Sequence, residues 1–241
     1  MAHSGEKCKM TKADKIKKVK KTAPKKAKPG SKGKKKETRD KILKAAQQVF
    51  ANYPYHTASI RMIGKLAEIE HPLISYYFPS KADLFRSVLT DLIEYRGQMQ
   101  ASWQNGIKEA GPARGLSLFL DHVLDDFRNR PGLLHIISLN LSRPADSEPI
   151  PGYDLIQKFL ESSSQSTIRM VGLGVSLHEW DMFSRTVTTL LVGYLGASYT
   201  YAPLVGKDPN SILYFNWVKD TIIYTLLPRL EQMVKKKGSD D

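Results

Sequence analysis

The chain has 241 residues, 41% of them hydrophobic, with 37 Lys and Arg against 24 Asp and Glu and a formal net charge of +13. The excess is confined to residues 1–36, which hold 15 Lys and only Glu6 and Asp14, while residues 37–241 are neutral with 22 basic and 22 acidic residues. The single cysteine, Cys8, excludes an intramolecular disulfide scaffold and a cysteine-based zinc finger. The Lys-rich start has no apolar run behind it, so no secretory signal is legible, and the most apolar stretch, Thr186–Leu195, is about half the ~20 residues a bilayer needs. The expectation is a cytoplasmic protein with no membrane partner.

Residues 1–36 are rich in Lys, Ala, Pro and Gly and cannot bury enough surface to offset their ordering entropy, so they are expected to be a disordered arm. From Thr38 the pattern turns helical. Ile42, Ala45, Ala46, Val49 and Phe50 form one helix face, ended by Tyr53-Pro54. Ser59 can cap a second helix through Ala67, with Ile63 and Leu66 facing in. Pro72 suits the first turn of a third helix through Phe78. Ser80-Lys81-Ala82-Asp83 reads as a capping box opening a fourth helix to about Asn105. Leu116–Phe127, Pro131–Leu141, Tyr153–Val171, His178–Tyr201 and Pro209–Lys236 continue at helical spacing, with a Pro-rich loop at residues 143–152. Alternating strands are lacking. The fold class expected is all-α, with about nine helices. The expected division is an arm (1–36), a three-helix domain (37–85, motif 59–78), a larger helical domain (86–236) and a tail (237–241).

Residues 60–79 fit a helix-turn-helix. Gly64 sits where two helices would cross, and Ile63, Ala67, Ile69 and Ile74 take inward positions. The spacing matters because the second helix must be held rigidly outward to enter a major groove. Three packed short helices without DNA binding would give much of the same pattern.

The flanks decide further. TRDKILKAAQQVF, SIRMIGKLA and SYYFPSKADLF together resemble the N-terminal domain of TetR/AcrR-like transcriptional regulators over Thr38–Leu89, most specifically at Tyr76–Lys81. The resemblance implies a third helix that reads operator DNA, with Tyr76, Tyr77, Lys81 and the capping Ser59 near phosphates and Arg61 on the same exposed turn. Glu68 stands where the family usually has a turn glycine, which predicts a positive φ at a cost on the order of 1 kcal/mol. Glu70, His71, Leu73 and Ser75 are the candidates for base edges. Glu70 could accept from cytosine N4 or simply stabilise a helix start, and His71 could be a solvated surface histidine. The arm could add phosphate contacts or be a solubilising extension.

The resemblance also implies that residues 37–85 bind DNA and that residues 86–236 form an effector-binding and dimerisation domain, hence a nucleoid-associated homodimeric repressor released by a small molecule. The aromatic residues of the larger domain add the expectation of an apolar or aromatic effector. Gly193, Gly196, Phe215, Ile222 and Leu226 are candidates for the dimer interface, with an intramolecular core as the alternative. Trp103, Phe119, His122, Trp180, Phe183 and Tyr194 are candidates for a ligand pocket, although each alone is commonly plain core. No enzyme chemistry, cofactor or metal is expected. His122 and Asp126 lie one turn apart, but two ligands are too few, and a solvated acidic face is the expected reading. A DNA-compacting protein dominated by the arm, or a helical carrier without DNA binding, are the alternatives.

Overall fold

A computed structural model describes residues 30–142, 148–171 and 176–235. These residues form ten α-helices and no strand: α1 (Gly30–Asn52), α2 (Ile60–Ala67), α3 (His71–Tyr77), α4 (Lys81–Glu109), α5 (Pro112–Asn129), α6 (Gly132–Leu141), α7 (Tyr153–Val171), α8 (Leu177–Gly196), α9 (Ser198–Leu204) and α10 (Ile212–Lys235).

Ten helices replace the nine expected because the segment read as one helix, His178–Tyr201, is two. It breaks at Ala197 (φ −110°, ψ 32°). The cause is close packing: a Cβ on Gly196 would lie 2.5 Å from the Leu134 carbonyl oxygen of α6. The arm boundary also moves. Residues 30–36 are helix, whereas residues 1–29 and the expected tail, 237–241, lie outside the described residues, as does 143–147 of the loop. Lysine is a good helix former, and extending an existing helix avoids the cost of nucleation. The Thr38 hydroxyl bonds the Lys34 carbonyl at 2.9 Å within the added turns.

Two cores are built. The first joins α1, α2 and α3 to α4 and to α6, through Phe50, Ile63, Ile74, Phe85, Leu89 and Ile136. The second joins α5 to α8, α9 and α10, through Leu120, Phe183, Leu195, Tyr214 and Ile222. The division expected near residue 85 is therefore not a division of the core. Leu84, Phe85, Val88, Leu89 and Leu92 are buried along one continuous α4 in the first core. A buried polar link ties the same parts: the Tyr55 N–H donates to Asn140 Oδ1 at 2.9 Å, and Asn140 Nδ2 donates to the Ile136 carbonyl at 2.7 Å.

Leu66 is 49% exposed, against the expectation that it faces in. Ile63 and Ala67 occupy the inward line of α2, and Leu66 is turned ~100° from Ala67.

Candidate nucleic-acid interface

The geometry of α2 and α3 follows from a few residues. Ser59 Oγ accepts the Met62 N–H at 3.2 Å and starts α2. Glu68 ends it in the left-handed region (φ 53°, ψ 43°), with its N–H bonded to the Gly64 carbonyl. This is the positive φ expected where a glycine is absent. Gly64 permits the crossing, since a Cβ there would meet the Ile69 carbonyl oxygen at 2.8 Å and Ile74 Cδ1 at 3.3 Å. Ile63, Ala67 and Ile74 are buried, and α3 is fixed on one side.

Its other side is open. Glu70, His71 and Pro72 are exposed, Leu73 is 44% exposed, and Ser75 is half-buried. Tyr76 is 64% exposed and packs edge-on against the half-buried Tyr77, ring centroids 5.2 Å apart. Ser59 is half-buried and Arg61 exposed at the start of α2. Glu70 precedes α3 without a side-chain capping bond, so its carboxylate is not committed to the helix start.

Lys81 is more constrained than its sequence position suggests. Its ammonium donates to the carbonyls of Tyr55 at 2.9 Å and Ala58 at 3.1 Å, and lies 4.3 Å from the Tyr55 ring centroid. Desolvation lowers its pKa. Two of its three donors tie the 55–58 turn to the start of α4, which leaves one for an external acceptor. Ser80 caps α4 by accepting the Asp83 N–H at 3.1 Å and donating to the Asp83 carboxylate at 2.7 Å.

Lys35 was outside the sequence-based candidates. Its Nζ donates to Tyr76 Oη at 3.1 Å. One turn on, the Arg39 guanidinium lies over the Phe78 ring at 5.2 Å. The signal was a helical register: Lys35, Arg39, Ile42 and Ala46 share one face of α1.

The pocket candidates separate into three places. Trp103 stacks on His122 (5.0 Å, 3°) and meets Phe119 edge-on. Trp180 and Phe183 are buried in the second core, and Tyr194 packs against Tyr201 and Trp217. The cavity between α4, α5, α7 and α8 is lined by Tyr95, Val123, Phe127, Phe159 and Leu191, with only Phe119 from the expected set. Its free space is about 70 Å³. Arg96 and Asp126 meet in an ion pair on its wall, with side chains 17% and 15% exposed. Asp126 is thus not part of a solvated acidic face. Burial lowers the Arg96 pKa, partly opposed by Asp126. Among the described residues no group of His, Cys, Asp and Glu could hold a metal ion.

The dimer candidates are mostly spent inside the chain. Phe215, Ile222 and Leu226 are buried in the second core, and Gly196 is pressed onto α6. A Cβ at Gly193 would meet nothing within 4 Å, so that position alone of the five is open. The C-terminal stripe read as an outward face is the inward one, because α5 covers it.

A helix-turn-helix with this exposed third helix defines a class of DNA-binding domain. Residues 42–88 match the family described as bacterial regulatory proteins, tetR family. It is 34% identical over 101 residues to the HTH-type transcriptional repressor NicS of Pseudomonas putida, spanning 42% of this chain and 47% of that one. The chain thus aligns with about half the length of that relative. It is 27% identical over 201 residues to an uncharacterised HTH-type transcriptional regulator, YdgC of Bacillus subtilis, spanning 82% of this chain and 97% of that one. In fold it resembles the transcriptional regulator FadR of Bacillus subtilis solved with stearoyl-CoA, with a TM-score of 0.52, 17% identity and coverage of 76% and 96%. No helix among the described residues is long and apolar enough to cross a membrane.

Proposed function

We propose that the chain is a sequence-specific transcriptional repressor that binds its operator as a homodimer and is released by an apolar or aromatic small molecule. The observation that carries this reading is α3: its buried side is locked through Gly64 and Ile74, and its free side offers Glu70, His71, Leu73 and Tyr76. Leu73 suits a thymine methyl and Glu70 a cytosine N4 amine, whereas Tyr76 suits a phosphate.

Two-fold DNA sites ask for a two-fold protein. The face offered for this is the outer side of the neighbouring α8 and α10. Met182, Thr186, Thr189 and Gly193 recur at helical spacing on α8, and Leu213 and Tyr224, 65% and 87% exposed, do so on α10. This set replaces the one expected from sequence, with Gly193 kept.

The effector site is the cavity on α4. Its apolar and aromatic lining suits a ligand of that kind, and an acyl chain such as the one in the stearoyl-CoA bound by FadR is one ligand to test. A free space of about 70 Å³ is far below the ~300 Å³ or more of a drug-sized site, so a ligand must part the surrounding helices. One of them, α4, runs unbroken from Lys81 beside the DNA-reading unit to Arg96 on the cavity wall. A ligand favouring the parted state would favour a different placing of the two α3 helices.

The test is specificity. Leu73→Ala should relax discrimination at one position of each half-site by ~1–3 kcal/mol. An unchanged preference across all positions would remove α3 as the reader.

A further inference from the structure

The first two turns of α1 carry a feature that the matched family region, residues 42–88, does not include. Lys34, Lys35 and Lys36 are exposed on a formed helix. Among the described residues none of the three is in an ion pair, whereas Lys41, further along the same helix, reaches Glu68 at 3.7 Å. Glu37 lies two residues from Lys35 and therefore points ~200° around the helix. Lys35 instead sits against the exposed end of α3. Its Nζ is 3.1 Å from Tyr76 Oη and 5.5 Å from that ring's centroid.

We propose that Lys35 and Tyr76 form a joint site for one DNA backbone phosphate, placed by the extension of α1 at the edge of the groove that α3 reads. The ammonium has three donors and spends one on Tyr76. The tyrosine oxygen accepts that hydrogen bond, and its own O–H can donate one to a phosphate oxygen. Two donor groups from two different helices thus lie 3.1 Å apart, and Lys35 is in no ion pair with a carboxylate among the described residues. A lysine on a disordered arm would gain the same Coulomb energy but would lose chain entropy on binding. On α1 that ordering is already complete, so Lys35 acts as a fixed contact. The site rests on the reading of α3 as the groove element, but it binds phosphate and should ignore base sequence.

The experiment measures binding of the full chain to two fluorescent duplexes, a selected site and an unrelated sequence, over a series of salt concentrations. Lys35→Gln, Lys35→Arg, Tyr76→Phe and the Lys35→Gln/Tyr76→Phe pair are compared, with melting temperatures recorded for each. Lys35→Gln should reduce the slope of log K against log salt by ~0.9, so that raising salt from 50 to 200 mM weakens binding about 3.5-fold less than in the wild type. The reduction should be equal on both duplexes, and Lys35→Arg should restore the slope. Tyr76→Phe should weaken binding while keeping the slope, and the pair should lose less than the two single losses combined. A wild-type slope in Lys35→Gln, with only its melting temperature changed, would make the Lys35–Tyr76 contact a purely structural tie and overturn the proposal. If no sequence is preferred over another, the regulator reading fails, yet the slope on the unrelated duplex still decides this one.

Discussion

Asn140 shows how much rests on single side chains. It is 7% exposed and satisfies the Tyr55 N–H from the far side of the first core. Replacement by Ala strands that donor, and chemical denaturation should show a loss of ~1–3 kcal/mol. Gly64→Ala should cost ~1–3 kcal/mol, because the new methyl meets a backbone oxygen at 2.8 Å, which cannot move aside without shifting α3. His135 sets a pH response. It is 8% exposed, its ring lies 3.4 Å from the Ser198 hydroxyl, and burial lowers its pKa below the ordinary value. The folded state therefore holds the neutral ring while the unfolded chain binds a proton near pH ~6.5. Stability should be full above that pH and fall as the pH drops toward the folded pKa, and His135→Gln should flatten this part of the melting curve. Gly64, Glu68 and the Ser59 and Ser80 caps were legible in the sequence, since each follows from local backbone chemistry. Asn140 and His135 were not, because their partners lie 85 and 63 residues away in the chain.

At the scale of helices, the Arg96–Asp126 pair joins α4 to α5 in a cavity wall that is largely apolar but also carries Gln100, Arg130, Ser163 and Thr188. Breaking it on one side leaves a buried charge alone. Arg96→Met should cost ~3–5 kcal/mol, and the double variant Arg96→Met/Asp126→Leu should recover most of it in a denaturation series. A double variant as unstable as the single one would show that packing, rather than charge, holds this junction. Helix positions were legible from periodicity: Tyr153–Val171 begins and ends where the pattern does. Partners were not. A stripe such as Phe215, Ile222 and Leu226 states that a face is covered but not whether the cover is α5 or a second chain. Of the aromatic residues chosen as pocket lining only Phe119 lines this cavity, whereas Trp180 and Phe183 stack on each other in the second core. The added turns of α1 were hidden by low-complexity composition, which argues against order only until a neighbouring helix supplies the nucleus.

For the whole molecule, charge and shape divide the work. Residues 37–241 are neutral overall, so under the proposed function long-range attraction to DNA would fall to residues 1–36 and the register on DNA to α3. Tyr224→Glu should convert the proposed dimer to a monomer in analytical ultracentrifugation without lowering the melting temperature, because Tyr224 is 87% exposed. The most direct test of the account is selection of binding sites from random duplexes, using the full chain and a form lacking residues 1–29. Both should enrich one and the same two-fold symmetric sequence, with the shortened form binding more weakly and with a shallower salt dependence. Enrichment of no sequence by either form, with binding lost on removal of residues 1–29, would contradict the account and leave a lysine-driven DNA-coating protein in its place.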